Sequence, residues 1–77
     1  MQASDIRSGM RVKTNDALGT TEGFTIDEQH LKVRVTNTEG TVTRHVPGHG
    51  GDVWFVRHYD GSIAAYADDE FELSETP

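Results

Sequence analysis

Apolar side chains in this chain recur at every second position, and no stretch of ten residues repeats them at helical spacing. In LKVRVT, Leu31, Val33 and Val35 alternate with Lys32, Arg34 and Thr36. In GMRVKT, Met10 and Val12 alternate with Arg11 and Lys13, and in GFTID, Phe24 and Ile26 share a face. TVTRHV puts Val42 and Val46 on one side with Arg44 between them, DVWFVRHY and SIAAYA read as two further strands, and DDEFEL closes the series. A period of two is the signature of a half-buried β-strand, so the chain is predicted to be all-β. Val12, Leu31, Val33, Val35 and Leu73 are expected to be buried together.

The connectors carry turn chemistry. NDALGTT suits a longer hairpin loop, DEQH and NTEG are short polar turns, and Gly40 can take the positive φ that a hairpin bend often needs. Tyr59-Asp60-Gly61-Ser62 predicts a tight type I′ turn between two β-rich runs. At 77 residues the chain is one domain near the lower size limit for folding without staples, and it has no cysteine to supply them. Hydrophobic residues make up 34%, which leaves a thin core and no deep catalytic cleft. Short strands at this spacing favour a small barrel, because an open sheet of this size leaves reactive edges. Residues 1–8 read as a lead-in, 9–73 as the single domain and 74–77 as a polar tail. Met1 and the ending LSETP are those expected of a complete small gene product. No apolar run approaches the length that spans a bilayer, and MQASDIRSGM carries no basic leader or apolar signal core. A cytoplasmic protein with no membrane partner is expected.

The stretch HVPGHGGDVWFVRHYDG concentrates the residues from which a site could be built. The glycines of Pro47 to Gly51 precede a strand, whereas a phosphate cradle opens a helix, so they read as a loop. His45 and His49, with Asp52 or His58, form a candidate metal set, but the Pro-Gly between them removes the helix that would align i and i+4. No metal and no cofactor are expected. His58 with Asp60, or His45 with Asp52, can be written as acid–base pairs, yet no nucleophile stands at a defined spacing, and the chain is not expected to be an enzyme. The aromatics Trp54, Phe55, Tyr59 and Tyr66 admit two readings, core filling or a recognition surface; Trp54 leans to the first.

The order of these segments resembles the Src-homology-3-type (SH3-like) barrel, and within it the Tudor-like and KOW-like modules. The resemblance spans about residues 9–73 and is carried by GMRV, the looped hairpin NDALGTTEGF, and above all VWFVRHYDGSIAAYADDEFEL. It implies a barrel of five to six strands with a short one-turn helix in the acidic stretch before the last strand, whose closing hydrophobic pair is Phe71 and Leu73. It implies no ligand: NDALGTT lacks the aromatics of a proline-peptide groove, and Tyr59, Tyr66 and Asp60 alone do not make a methyl-ligand cage.

Charge separates the functional options. Net charge is −6; residues 1–37 balance five acids with five bases, and residues 38–77 set eight acids against two arginines. The reading favoured is a small non-catalytic protein-binding module, with Phe55, Tyr59, Tyr66 and Trp54 as partner-binding residues and an acidic end (Asp68, Asp69, Glu70, Glu72, Glu75) that could meet a basic partner. The alternative is nucleic-acid binding through a stripe of Arg11, Lys13, Lys32 and Arg34, should their strands be neighbours; the overall acidity opposes it. An acidic mimic of nucleic acid is the variant with the sign inverted.

Overall fold

Strand pairing carries the fold, and the alternation along Arg11–Thr14 shows how. Val12 and Thr14 are buried, whereas Arg11 and Lys13 face solvent. The computed structural model describes residues 3–16, 18–19, 26–47 and 52–74. A short 3-10 turn, Ala3–Asp5, precedes strand β1 (Arg11–Thr14), the one-turn helix α1 (Glu28–Leu31), and strands β2 (Glu39–Val46), β3 (Val53–His58), β4 (Ile63–Tyr66) and β5 (Phe71–Leu73). The strands form one antiparallel sheet in the order β4-β3-β2-β1-β5. The all-β class therefore holds. The sheet is not closed among the described residues: β4 and β5 are its edges. Among the described residues no helix is long and apolar enough to cross a membrane.

The core lies on one face of the sheet. Val12, Val42, Trp54, Val56, Ala64, Tyr66 and Phe71 meet there with Ile6, and Met10, Leu18 and Val33 pack around them. Each fully buried Val or Phe side chain in such a cluster contributes about 1.5–3 kcal/mol. Strand register explains the grouping, because residues directly opposite share a face: Val42 pairs with Val56, and Val56 with Ala64. A β-bulge between Val42 and Arg44 shifts β2 by one residue. It turns Arg44 outward opposite Phe55 and brings His45 over Trp54, which resolves the charge that the sequence placed between Val42 and Val46.

Gly40 sits inside β2 rather than at a bend. A Cβ there would lie 2.5 Å from Val56 Cγ1 and 2.8 Å from the Arg57 carbonyl oxygen, so only glycine lets β2 and β3 approach. The positive φ of the preceding turn belongs to Asn37, at 51°. The Asp-Gly hairpin is also not type I′. Gly61 N–H donates to His58 O at 3.0 Å, and His58 N–H to Ser62 O at 2.9 Å. Gly61 has φ 88° and Asp60 no positive φ, so the loop is three residues closed by a glycine bulge.

The largest departure is LKVRVT. Leu31 ends α1, and residues 32–38 run as turn and irregular chain instead of a strand. Arg34, the polar member of the pattern, turns inward and Val35 is 41% exposed. The cause is Glu70. Its carboxylate is buried, accepts Ala67 N–H at 2.7 Å and Gly19 N–H at 2.6 Å, and forms an ion pair with Arg34. A buried carboxylate needs such a partner more than Val35 needs burial. Side chains replace the missing ladder: Val35 N–H donates to the Tyr66 hydroxyl at 3.0 Å, and Val35 O accepts from Thr14 Oγ1 at 2.8 Å. Leu31 and Val33 are half-buried. Leu73 lies opposite Val12 but is 49% exposed, because β5 is an edge strand with no further strand beside it among the described residues.

The acidic segment before β5 forms a turn, with Glu70 N–H donating to Ala67 O at 3.1 Å, in place of the helix expected there. The expected strand at GFTID and the loop Pro47 to Gly51 lie mostly outside the described residues. Two stability outcomes follow. Gly40→Ala forces backbone and side-chain shifts and should cost about 1–3 kcal/mol in urea unfolding. Arg34→Ala strands the Glu70 carboxylate and should cost about 3–5 kcal/mol, whereas a loss below about 1 kcal/mol would show the pair to be dispensable.

Candidate interaction surface

The four aromatics named from the sequence do not converge. Trp54 is 2% exposed, with His45 stacked on it at 4.8 Å and Phe71 edge-on at 6.2 Å. Tyr66 is fully buried and spends its hydroxyl inside the protein, 2.8 Å from His58 Nε2. Both fill the core. Phe55 lies on the opposite face of the sheet, half-covered by the His30 ring of α1 at 4.7 Å. Tyr59 alone is displayed: it opens the β3–β4 loop and is 76% exposed.

Tyr59 stands between two grooves. One, of about 430 Å³, runs between the irregular segment at Val33, Val35 and Thr38 and the hairpin loop at Tyr59, Asp60 and Ser62. Its apolar members are Val33, half-buried against the core, and Val35. The other, of about 390 Å³, lies on the outer sheet face and is bordered by Arg11, Thr41, Thr43, Arg57 and Tyr59. His58 borders both and is held from two sides, its Nδ1 2.9 Å from Glu39 O and its Nε2 on Tyr66. The hairpin loop itself is braced by Asp60, whose carboxylate accepts Ser62 Oγ at 2.6 Å and Ser62 N–H at 2.9 Å. Those bonds, the side-chain one first, hold the Asp60 carboxyl below its ordinary range.

The four-cation stripe is not assembled. Arg34 is interior, and Lys32 caps α1 on a different element from Arg11 and Lys13. Lys13 lies between Glu39 and Glu72 in the register, so its charge is flanked by acids. Arg11 has another environment, opposite Thr41, which in turn lies opposite Arg57. Sequence reasoning missed Arg57 and Arg44 as members of this face; the VWFVR alternation places Arg57 on the side of Phe55, but only strand order shows that Arg11 joins it.

The histidines and acids settle into local partnerships. His45 Nε2 is 3.5 Å from Asp52, with both side chains about half-exposed, and His49 lies outside the described residues. Among the described residues, no three His, Asp or Glu side chains gather as a metal would require. Of the acidic end, Glu70 is interior, Asp68 is half-buried, and Asp69 and Glu72 are exposed.

Tyr66 yields a pH outcome. Burial pushes its phenol above the ordinary value of 10.0, since a phenolate there loses hydration; the Val35 amide bond and the Arg34 charge pull it part of the way back. The unfolded chain therefore releases this proton at a lower pH than the folded one. The associated stability is complete below pH 10.0 and is lost as pH rises through the higher folded value. In a Tyr59→Phe variant, whose one remaining tyrosine is Tyr66, ultraviolet absorbance should show phenolate only above the ordinary range. An ordinary titration would contradict the buried placement. No protein-family model, curated protein or solved structure matches the chain.

Proposed function

We propose that this chain is a small non-catalytic protein-binding module of SH3-like barrel type, whose contact surface centres on Tyr59 and the apolar groove beside it. One observation carries the reading. A large aromatic, 76% exposed, faces Val35, 41% exposed, across a concave surface. Small soluble domains seldom display large apolar side chains around a groove unless a partner covers them. Tyrosine suits that task, because it offers much contact area at little cost in side-chain freedom. The rigid frame is present too: a three-residue loop braced by Asp60 on one wall, and a chain segment pinned through Val35 to Tyr66 and Thr14 on the other.

The barrel reading draws on connectivity. The last strand returns beside the first, and the eight-residue β2 serves both β1 and β3 with a bulge in its middle. Bulges of this kind let one long strand bend from one side of a small barrel to the other.

The reading is tested by capture from the source lysate with the wild-type chain, Tyr59→Ala and Val35→Asp, followed by affinity measurement with the protein recovered. Tyr59→Ala should weaken binding by about 1–3 kcal/mol. Its stability in urea should move by no more than about 0.5 kcal/mol, as for other exposed positions. Unchanged affinity in both variants would overturn the assignment of this surface.

A further inference from the structure

We infer that the outer sheet face around Arg11 and Arg57 seats the carboxylates of a short acidic segment in the partner. The inference rests on the protein-binding reading and adds the chemistry of what is bound.

The register puts Arg11, Thr41 and Arg57 in one row across β1, β2 and β3. Two strand spacings separate the arginine backbones, about 10 Å, so two flexible guanidinium groups can converge on one carboxylate or hold two neighbouring ones. Arg44 lies on the same face, opposite Phe55. Among the described residues, Arg11, Arg44 and Arg57 have no acidic partner within ion-pair distance, although the chain carries 13 acids to 7 bases. Arg34 differs in being paired with Glu70, and Lys13, which also makes no ion pair among the described residues, differs in lying between Glu39 and Glu72 in the register. Solvation alone would explain scattered cations; here three arginines gather on one face of an acidic chain, each with non-acidic residues opposite it in the described register. Among the described residues no carboxylate offers these exposed guanidinium groups a charge-assisted hydrogen bond.

The extent of the patch points to a peptide over a nucleic acid. A nucleic-acid strand carries a charge every few ångströms and needs a continuous cationic track. Here the next row along the sheet is Glu72, Lys13 and Glu39, which ends the positive face after one step. The net charge of −6 would repel a long polyanion further. Tyr59 borders both this groove and the apolar one, so a segment with an apolar residue beside carboxylates would engage the two at once.

The test uses the full chain and three fluorescein-labelled probes: a short peptide rich in Asp and Glu around one Phe, the same peptide with Asn and Gln in place of the acids, and an oligothymidylate of equal charge. Anisotropy should show binding of the acidic peptide alone, weakened about tenfold by Arg11→Gln and by Arg57→Gln, with Arg57→Lys retaining part of it. Amide signals of Thr41 and Thr43 should shift on titration. Equal binding of the amide peptide, tighter binding of the oligothymidylate, no binding of the acidic peptide, or indifference of both Gln variants would overturn the inference. Circular dichroism of the variants establishes that they fold. If the arginine variants behave as wild type while Tyr59→Ala still loses the natural partner, this inference falls and the binding module stands. If the arginine variants weaken the natural partner and Tyr59→Ala does not, the Tyr59-centred surface falls and the arginine face stands.

Discussion

The Glu70 carboxylate is the fixed point of this small domain. It is held by donors from three separated stretches of chain: Ala67 N–H beside it, Gly19 N–H from the long β1–β2 connection, and the Arg34 guanidinium from the end of that connection. A carboxylate withdrawn from water loses hydration worth several kcal/mol, and only a full set of donors offsets that loss. The requirement dictates the path of the connection. Its described part from residue 26 passes the β4 edge, with His30 lying on Phe55 on one side and Arg34 over Tyr66 on the other. Val33 and Val35 are presented beside Tyr59 because the chain is pulled through this position.

Alternation in the sequence located β1, which buries Val12 and Thr14 between exposed Arg11 and Lys13. Strands β3 and β4 are marked instead by apolar runs and are buried on both faces, at Val53 and Trp54 and at Ala64 and Ala65. Alternation failed at LKVRVT for a reason the pattern cannot contain. The pattern scores Arg34 as outward, and the partner that draws it inward stands 36 residues further on. A local rule has no access to an ion pair of that separation. Gly40 was misread for a related reason: glycine marks a bend or a close approach of two backbones, and the second needs knowledge of Val56 and Arg57 on the neighbouring strand. The one-residue bulge before Arg44 is equally silent in the sequence, although it changes which side chains share a face.

The candidate surface was legible in part. VWFVRHYDG singled out Tyr59, which is outward on the β3–β4 loop. Trp54 and Tyr66 could not be separated from it on residue type alone, because a buried tyrosine with a satisfied hydroxyl and an exposed one are the same letter. The cations show the limit most clearly. Arg11 and Lys13 lie on the same strand with the same outward orientation, yet cross-strand neighbours give one a threonine and the other two glutamates. Their chemistry is decided by strand order, which composition and spacing do not encode.

The helix that leans on β4 bears on how copies of this protein can meet. A sheet with two open edges can extend head-to-tail, each copy offering one edge and receiving on the other, and nothing stops the growth. Here His30 Nδ1 lies 2.8 Å from the Ile63 carbonyl oxygen, and α1 covers the flank of β4, so a second chain cannot dock its backbone along that strand without displacing the helix. Among the described residues, only β5, three residues long, remains open. Joining of sheets through the described edges would then run β5 against β5, an arrangement that closes at two copies.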